Sequence, residues 1–119
     1  MKDFRKQKVW QKGHLLTLSV YQATKGFPKE ELYGLTNQTR RASASIPANI
    51  AEGCGREGDA ELARYLQIAM GSASELEYHL LLAHDLGIMN DLDFEHLHGE
   101  TTELKQMLTS FIKKLRADR

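Results

Sequence analysis

The sequence contains few of the residues that cross-link or interrupt a polypeptide. Its 119 residues include one cysteine, Cys54, and two prolines. A single thiol excludes an internal disulfide and is typical of proteins that stay in a reducing compartment. Because proline ends or kinks helices, its scarcity leaves room for long ones. The sequence therefore predicts a cytoplasmic protein without disulfide bonds.

Long apolar runs are missing as well. The longest one, Leu80–Ala83, has four residues, whereas a membrane-spanning helix needs about 20. The N-terminal sequence MKDFRKQKVW has no apolar run behind its charges, so a secretory signal is not expected there, and we expect no membrane partner. Hydrophobic residues make up 41% and charged residues 27% of the chain. This balance is typical of one globular domain, which is predicted to span residues 1–119.

Neither sign of charge is in excess overall, but the two signs are unevenly distributed. Residues 1–56 carry ten Lys or Arg and four Asp or Glu, residues 57–103 carry one and eleven, and residues 104–119 carry five and one. This asymmetry is consistent with a basic surface for nucleic acid beside an acidic one. The alternative is attraction between oppositely charged helices, within one subunit or between subunits. The net charge of zero favours this alternative.

Apolar residues recur at steps of three and four in four segments, which predicts helices at roughly residues 5–24, 35–52, 59–87 and 93–116. The third segment is the most regular and approaches a heptad repeat, as in near-antiparallel helix packing. The predicted core stripes are Val9, Gly13, Leu16, Val20 and Ala23; Leu35, Thr39, Ala42, Ile46 and Ile50; Leu62, Leu66, Ala69, Ala73, Leu76, Leu80, Ala83 and Gly87; and Phe94, Leu97, Thr101, Leu104, Leu108, Phe111 and Leu115.

These segments predict an all-α protein folded as an up-down antiparallel four-helix bundle. No segment alternates as a strand, and the short link between the last two helices favours antiparallel neighbours. Pro47 lies inside the second helix and predicts a kink near Ser43, because it removes one backbone hydrogen bond. The first helix carries a second, half-apolar stripe, and a helix with two such faces usually contacts two neighbours. That stripe consists of Trp10, His14, Thr17 and Tyr21.

Residues 53–58, Gly-Cys-Gly-Arg-Glu-Gly, match the G-x-G-x-x-G pattern of dinucleotide-binding proteins. That pattern holds a pyrophosphate only after a strand and within a βαβ unit, and here a predicted helix precedes it. We interpret it as a turn between helices, whose free N–H groups beside Arg56 could hold an anion weakly. Cys54 would act as a nucleophile only beside an imidazole, and a half-buried structural thiol is the more common role.

Glu95 and His98 form a Glu-x-x-His motif in the fourth predicted helix. Di-iron bundles carry this motif twice, but the sequence contains it once, beside the core stripe rather than within it. No Gly-x-Ser-x-Gly nucleophile elbow occurs either. We therefore predict a protein that is not an enzyme and has no catalytic residues, no metal site and no cofactor.

Basic residues cluster at the start of the first helix and in the second, where two adjacent arginines point about 100° apart. Together they form the candidate surface for RNA or DNA, which consists of Arg5, Lys6, Lys8, Lys12, Arg40 and Arg41. The alternative interpretation is an ordinary solvated face, since most basic clusters have no nucleic-acid partner.

Several stretches are similar to one protein family. They are residues 27–31, 33–42 and 45–53; Gly71–Glu77 followed by Leu86 and Gly87; and Val9-Trp10, His14 and Val20-Tyr21. Together they resemble the four-helix-bundle proteins named after open reading frames in 23S ribosomal RNA intervening sequences. The resemblance covers nearly the whole chain, although the last helix matches only in its apolar pattern.

The resemblance implies an up-down bundle that assembles into a ring-like homopentamer, and it implies no catalytic residues. A ring would use the spare stripe of the first helix, so Trp10, His14 and Tyr21 become the candidate oligomer interface. Related accessory proteins of diversity-generating retroelements form basic barrels that bind nucleic acid and a reverse transcriptase, but this chain has zero net charge. The sequence therefore predicts a non-enzymatic homo-oligomeric adaptor for a protein or ribonucleoprotein partner. The alternative is direct binding of RNA or DNA by the first two helices.

Overall fold

The computed structural model describes residues 2–117, and these contain four long α-helices and no β-strand. A 3-10 turn at Phe4–Lys6 precedes the first helix. A 3-10 turn at Lys29–Glu31 and a π-helical turn at Leu32–Thr36 lead into the second. The helices are α1 (Lys8–Thr24), α2 (Asn37–Cys54), α3 (Asp59–Asp85) and α4 (Asp91–Ala117).

Each helix packs against the next one in the chain, and α1 also packs against α4. Helices α1 and α3 therefore lie diagonally across the bundle, with α2 and α4 between them. The molecule is a rod with principal extents of 47 × 22 × 20 Å. This arrangement confirms the predicted four-helix bundle. No helix among residues 2–117 is long and apolar enough to cross a membrane.

The core is built from the apolar stripes expected from the sequence. In α3 the seven predicted residues from Leu62 to Ala83 are all buried. Four predicted core residues differ: Ala23, Phe94 and Phe111 are only half-buried, and Gly87 is exposed. Ile112 occupies the core position of α4 instead of Phe111. Alternating steps of three and four average about 3.5 residues, slightly less than the roughly 3.6 residues of one helical turn. The buried position therefore drifts around α4 and is displaced by one residue near its end.

Two glycines let neighbouring helices approach closely. A Cβ atom on Gly13 of α1 would lie 3.5 Å from Ile46 Cγ2 and 3.7 Å from Pro47 of α2. A Cβ atom on Gly53 of α2 would lie 2.7 Å from Tyr65 Cβ in α3, a separation that real carbon atoms do not tolerate. The close packing of α2 against α3 at this end therefore requires glycine at position 53.

The helix limits differ from the predicted ones by a few residues. Helix α1 begins at Lys8 rather than near residue 5, because residues 4–6 form a separate 3-10 turn capped by Asp3, whose side chain accepts a hydrogen bond from Arg5 N. Helix α2 continues through Pro47 as one helix to Cys54. The Ser43 carbonyl that Pro47 leaves free accepts a hydrogen bond from Thr17 in α1.

Candidate functional site

The residues considered for metal binding do not come together. His98 Nε2 lies 3.4 Å from a carboxylate oxygen of Glu77 in α3, and its ring packs against Phe94 at a centroid distance of 5.3 Å. Glu95 is exposed. Within residues 2–117, no three His, Cys, Asp or Glu side chains are grouped so that they could hold a metal ion.

Residues 55–58 of the glycine-rich segment form the connection between α2 and α3, and Gly53 and Cys54 lie in the last turn of α2. Gly58 has a positive φ of 85° and directly precedes α3, a conformation that favours glycine. Cys54 is 1% exposed, and burial raises the pKa of its thiol. Because the thiolate is the nucleophilic form, the structure offers little reactive sulfur at neutral pH.

The six basic candidate residues do not form one patch. Arg5 and Lys6 lie in the 3-10 turn before α1, and Lys8 is its first residue. Arg40 contacts Thr24 at the other end of α1, about 24 Å from Lys8 at 1.5 Å per residue. Arg41 is exposed beside Arg40 in the sequence. The structure therefore divides the predicted surface between the two ends of the bundle.

The ammonium group of Lys12 forms salt bridges within the protein. Its side chain is 17% exposed and forms salt bridges with Glu100 and Glu103 of α4. Burial lowers the pKa of Lys12, but the hydrogen bonds to both glutamates outweigh this effect and raise it. Lys12 therefore stays charged and joins α1 to α4, and little of its charge is available to an outside ligand.

Three lysines surround an apolar groove at the end of the bundle where α1 begins and α4 ends. The groove measures about 400 Å³, and its floor contains Met107 and Phe111. Lys6, Lys8 and Lys114 form no salt bridge with any carboxylate of residues 2–117. We call this surface the lysine groove; its lining is Lys6, Gln7, Lys8, Val9, Met107, Ser110, Phe111 and Lys114.

The three residues predicted for the oligomer interface differ in exposure. Trp10 is half-buried, because Phe4 packs edge-on against it at 4.9 Å and His14 stacks on it at 5.0 Å between ring centroids. His14 and Tyr21 are exposed, and Tyr21 also lies under the guanidinium of Arg40. Trp10 and Tyr21 are thus partly covered by side chains of their own chain.

A more apolar face of α1 was missed by the sequence reasoning. Leu15 and Leu18 are 61% and 53% exposed, and at 100° per residue they point away from the buried stripe of Val9, Leu16 and Val20. Their spacing of three residues is the signal that could have revealed them, because neither belongs to the core stripe. We call Leu15 and Leu18 the outer α1 face.

Helix α3 presents a comparable face on the opposite side of the bundle. Ile68 and Tyr78 are 41% and 58% exposed, and Gly71 lies between them in open space. These residues recur on the side of α3 away from its core stripe. We call Ile68, Gly71 and Tyr78 the outer α3 face.

Comparison with known proteins relates the chain to one family. A crystal structure of a protein of unknown function from the S23 ribosomal protein family of Bacteroides thetaiotaomicron superimposes with a TM-score of 0.82 at 26% identity, covering 88% of this chain and 98% of that one. A search of curated proteins gives no match. The 23S rRNA-intervening sequence protein family matches residues 5–110. The chain belongs to this family.

Proposed function

We propose that the protein is a non-enzymatic homo-oligomeric adaptor, in which the outer α1 face of one copy contacts the outer α3 face of the next. The observation that supports this proposal is that two exposed apolar faces lie on diagonally opposite helices of the same bundle. Since exposed apolar side chains can mark an interaction site, each copy offers two candidate sites on opposite sides. Two different faces in contact make a head-to-tail interface, which can close into a ring.

Charge supports a contact between different faces rather than between like faces. Helix α1 contains two lysines and no acidic residue, whereas α3 contains five acidic residues and one arginine. Because Lys12 is already paired with Glu100 and Glu103, Lys8 is the α1 cation that would repel a second α1 helix and be attracted by the acidic residues of α3. Attraction between subunits would add to the pairing within the chain, where Lys12 contacts Glu100 and Glu103 and Lys105 contacts Glu77.

Mixing two variants tests this arrangement. We expect Leu18→Glu and Ile68→Glu each to abolish ring formation, while Leu92→Glu, which changes an exposed leucine on neither face, leaves assembly unchanged. A mixture of the first two retains one intact pair of faces and should form a heterodimer, measured by light scattering coupled to size exclusion. A wild-type monomer at micromolar concentration would refute the proposal, as would a mixture that yields only Ile68→Glu homodimers.

The surfaces left open by such a ring would take the protein or ribonucleoprotein partner. We place the adaptor in the cytoplasm as part of the same proposal, since the single buried thiol of Cys54 suits a reducing compartment.

Direct binding of RNA is the second candidate function, and the lysine groove favours it. Its cations suit phosphates, and Phe111 and Met107 offer an apolar floor for unstacked bases. Polarisation of a labelled single-stranded RNA should rise with protein and fall along a linear log–log salt slope. Lys6→Gln with Lys114→Gln should reduce that slope, and Lys12→Gln should not. RNA binding that is absent at low salt would eliminate this candidate.

A further inference from the structure

A second cavity lies at the opposite end of the bundle from the lysine groove, between the α1–α2 connection and the start of α2. It measures about 250 Å³, and no aspartate or glutamate lines it. We call it the Arg40 pocket; its lining is Thr24, Lys25, Phe27, Pro28, Lys29, Leu32, Thr36 and Arg40.

Arg40 is held in a fixed position at this pocket. Its Nε donates a 2.8 Å hydrogen bond to Thr24 Oγ1, and its guanidinium carbon lies 5.0 Å from the centroid of the Tyr21 ring. These contacts orient the guanidinium and leave its two terminal nitrogens without a hydrogen-bond acceptor among residues 2–117. Arg40, Lys25 and Lys29 also form no salt bridge within that part of the chain. Three cations therefore line the pocket, and none of them is paired with a carboxylate in that part of the chain.

The hydroxyl of Thr36 is a second, independent feature of the pocket. Thr36 is 3% exposed and lines the pocket, and its Oγ1 has no hydrogen-bond partner within residues 2–117. Other buried threonines donate to the carbonyl four residues earlier, as Thr39 does to Leu35 and Thr101 does to Leu97. The π-helical turn at Leu32–Thr36 does not provide Thr36 with this bond. A buried hydroxyl without a hydrogen-bond partner destabilises a fold, so a ligand that accepts its proton would be favoured.

We propose that the Arg40 pocket binds a terminal phosphate monoester. A phosphate offers several acceptor oxygens, which can take the free guanidinium nitrogens and the two ammonium groups together. The Thr36 hydroxyl is buried from solvent and joins them only if the pocket wall moves. Phe27, Pro28 and Leu32 form the apolar wall, which suits the organic part of the ligand, such as a nucleoside ring. The same chemistry is carried by a free mononucleotide and by the 5′ end of an RNA, and both are included in the test.

Thermal unfolding of the full chain tests the site with defined probes. Inorganic phosphate and AMP should raise the melting temperature relative to chloride and adenosine at equal ionic strength, since a ligand of the native state stabilises it. A short RNA with a 5′-phosphate, compared with the same RNA bearing a 5′-hydroxyl, distinguishes the end of a strand from the free nucleotide. Amide NMR shifts caused by phosphate should be centred on Thr36 and Arg40. No stabilisation by any phosphate probe, or shifts centred elsewhere, would overturn the proposal.

Substitutions separate binding from folding. Thr36→Val removes the unpartnered hydroxyl, so the free protein should keep or gain stability while phosphate affinity falls. Lys25→Gln with Lys29→Gln changes two exposed side chains and should weaken phosphate binding by about tenfold or more, because each charge-assisted contact contributes on the order of a factor of ten. Arg41→Gln removes a neighbouring cation outside the pocket and serves as the matched control. Unchanged affinity in both pocket variants would refute the assignment.

Discussion

The hydroxyl of Thr17 in α1 donates a hydrogen bond to the carbonyl oxygen of Ser43 in α2 across 2.9 Å. Ser43 is the residue whose carbonyl would accept the backbone N–H of residue 47 in an ordinary helix, and Pro47 has no N–H. The same hydroxyl lies 2.9 Å from the Gly13 carbonyl oxygen of its own helix. The first helix thus satisfies a buried acceptor that the proline of the second leaves free.

Replacing Thr17 with valine should destabilise the protein by about 1–3 kcal/mol, because the Ser43 carbonyl is then buried without a partner. Urea unfolding followed by circular dichroism measures the change. Thr109→Val is the matched control: its exposed hydroxyl donates only to Lys105 of its own helix, and surface changes usually stay within about 0.5 kcal/mol.

Pro47→Ala restores the missing N–H of residue 47. In a protein that carries this substitution, Thr17→Val should lower the free energy of unfolding by about 1 kcal/mol less than it does in the wild type. The comparison uses the difference between the two destabilisations, because Pro47→Ala also removes part of a buried side chain. If Thr17→Val destabilised both proteins equally, the Thr17 hydroxyl would not be replacing the backbone hydrogen bond that Pro47 cannot make.

A methyl group at position 53 should weaken the contact between α2 and α3. Gly53→Ala places its Cβ 2.7 Å from Tyr65 Cβ and 3.1 Å from Leu62 Cδ1, and overpacking of this kind costs about 1–3 kcal/mol. Gly99→Ala in α4 is the opposite case, since nothing lies within 4 Å of the new atom. That change should stabilise the fold by about 0.5–1 kcal/mol, because alanine is the better helix former. Thermal melts of the two variants should therefore shift in opposite directions.

The stability of the α3–α4 connection should depend on pH through His84. A 2.6 Å hydrogen bond to Asp91 raises the pKa of His84 above its ordinary value of 6.5. The folded state then binds the proton more tightly than the unfolded state, so this stabilisation is complete below the ordinary pKa and is lost as pH rises through the raised one. Asp91→Asn should flatten that part of the stability–pH curve, whereas Glu95→Gln on the same helix should not. A steeper decline in Asp91→Asn would contradict this.

Cys54 should react slowly with iodoacetamide at neutral pH. The thiol is buried and its pKa is raised by burial, so alkylation requires local opening of the α2–α3 connection. The rate in urea should approach that of a free cysteine, as followed by mass spectrometry. A native rate close to the denatured one would show that the thiol is accessible.

Much of the architecture could be predicted because it depends on local periodicity. The stripe from Leu62 to Ala83 places one side of α3 in any bundle core, whatever surrounds it. The π-helical turn at Leu32–Thr36 could not be predicted in this way: it includes Gly34 at φ −114° and ψ −111°, a conformation that no spacing of apolar residues indicates. Its consequence, the unpartnered hydroxyl of Thr36, was hidden for the same reason.

The candidate sites were less predictable because they depend on contacts between distant residues. Lys12 appeared to belong to a basic surface, but its partners Glu100 and Glu103 are 88 and 91 positions away. Arg40 likewise packs on Tyr21 of another helix. Sequence reasoning recognised these residues as polar and basic, and only the packing of α1 against α4 and α2 assigns them to internal contacts or to a pocket.

The pairing of Lys12 with Glu100 and Glu103 joins the first helix of the bundle to the last one. During synthesis α1 leaves the ribosome long before α4, and folding generally proceeds from the N-terminal side. Until α4 has emerged, the α1 surface that packs on it stays uncovered and Lys12 has neither of its carboxylates. A nascent chain halted within α3 therefore exposes apolar surface beside an unneutralised lysine, which is the kind of segment that chaperones retain until the bundle closes.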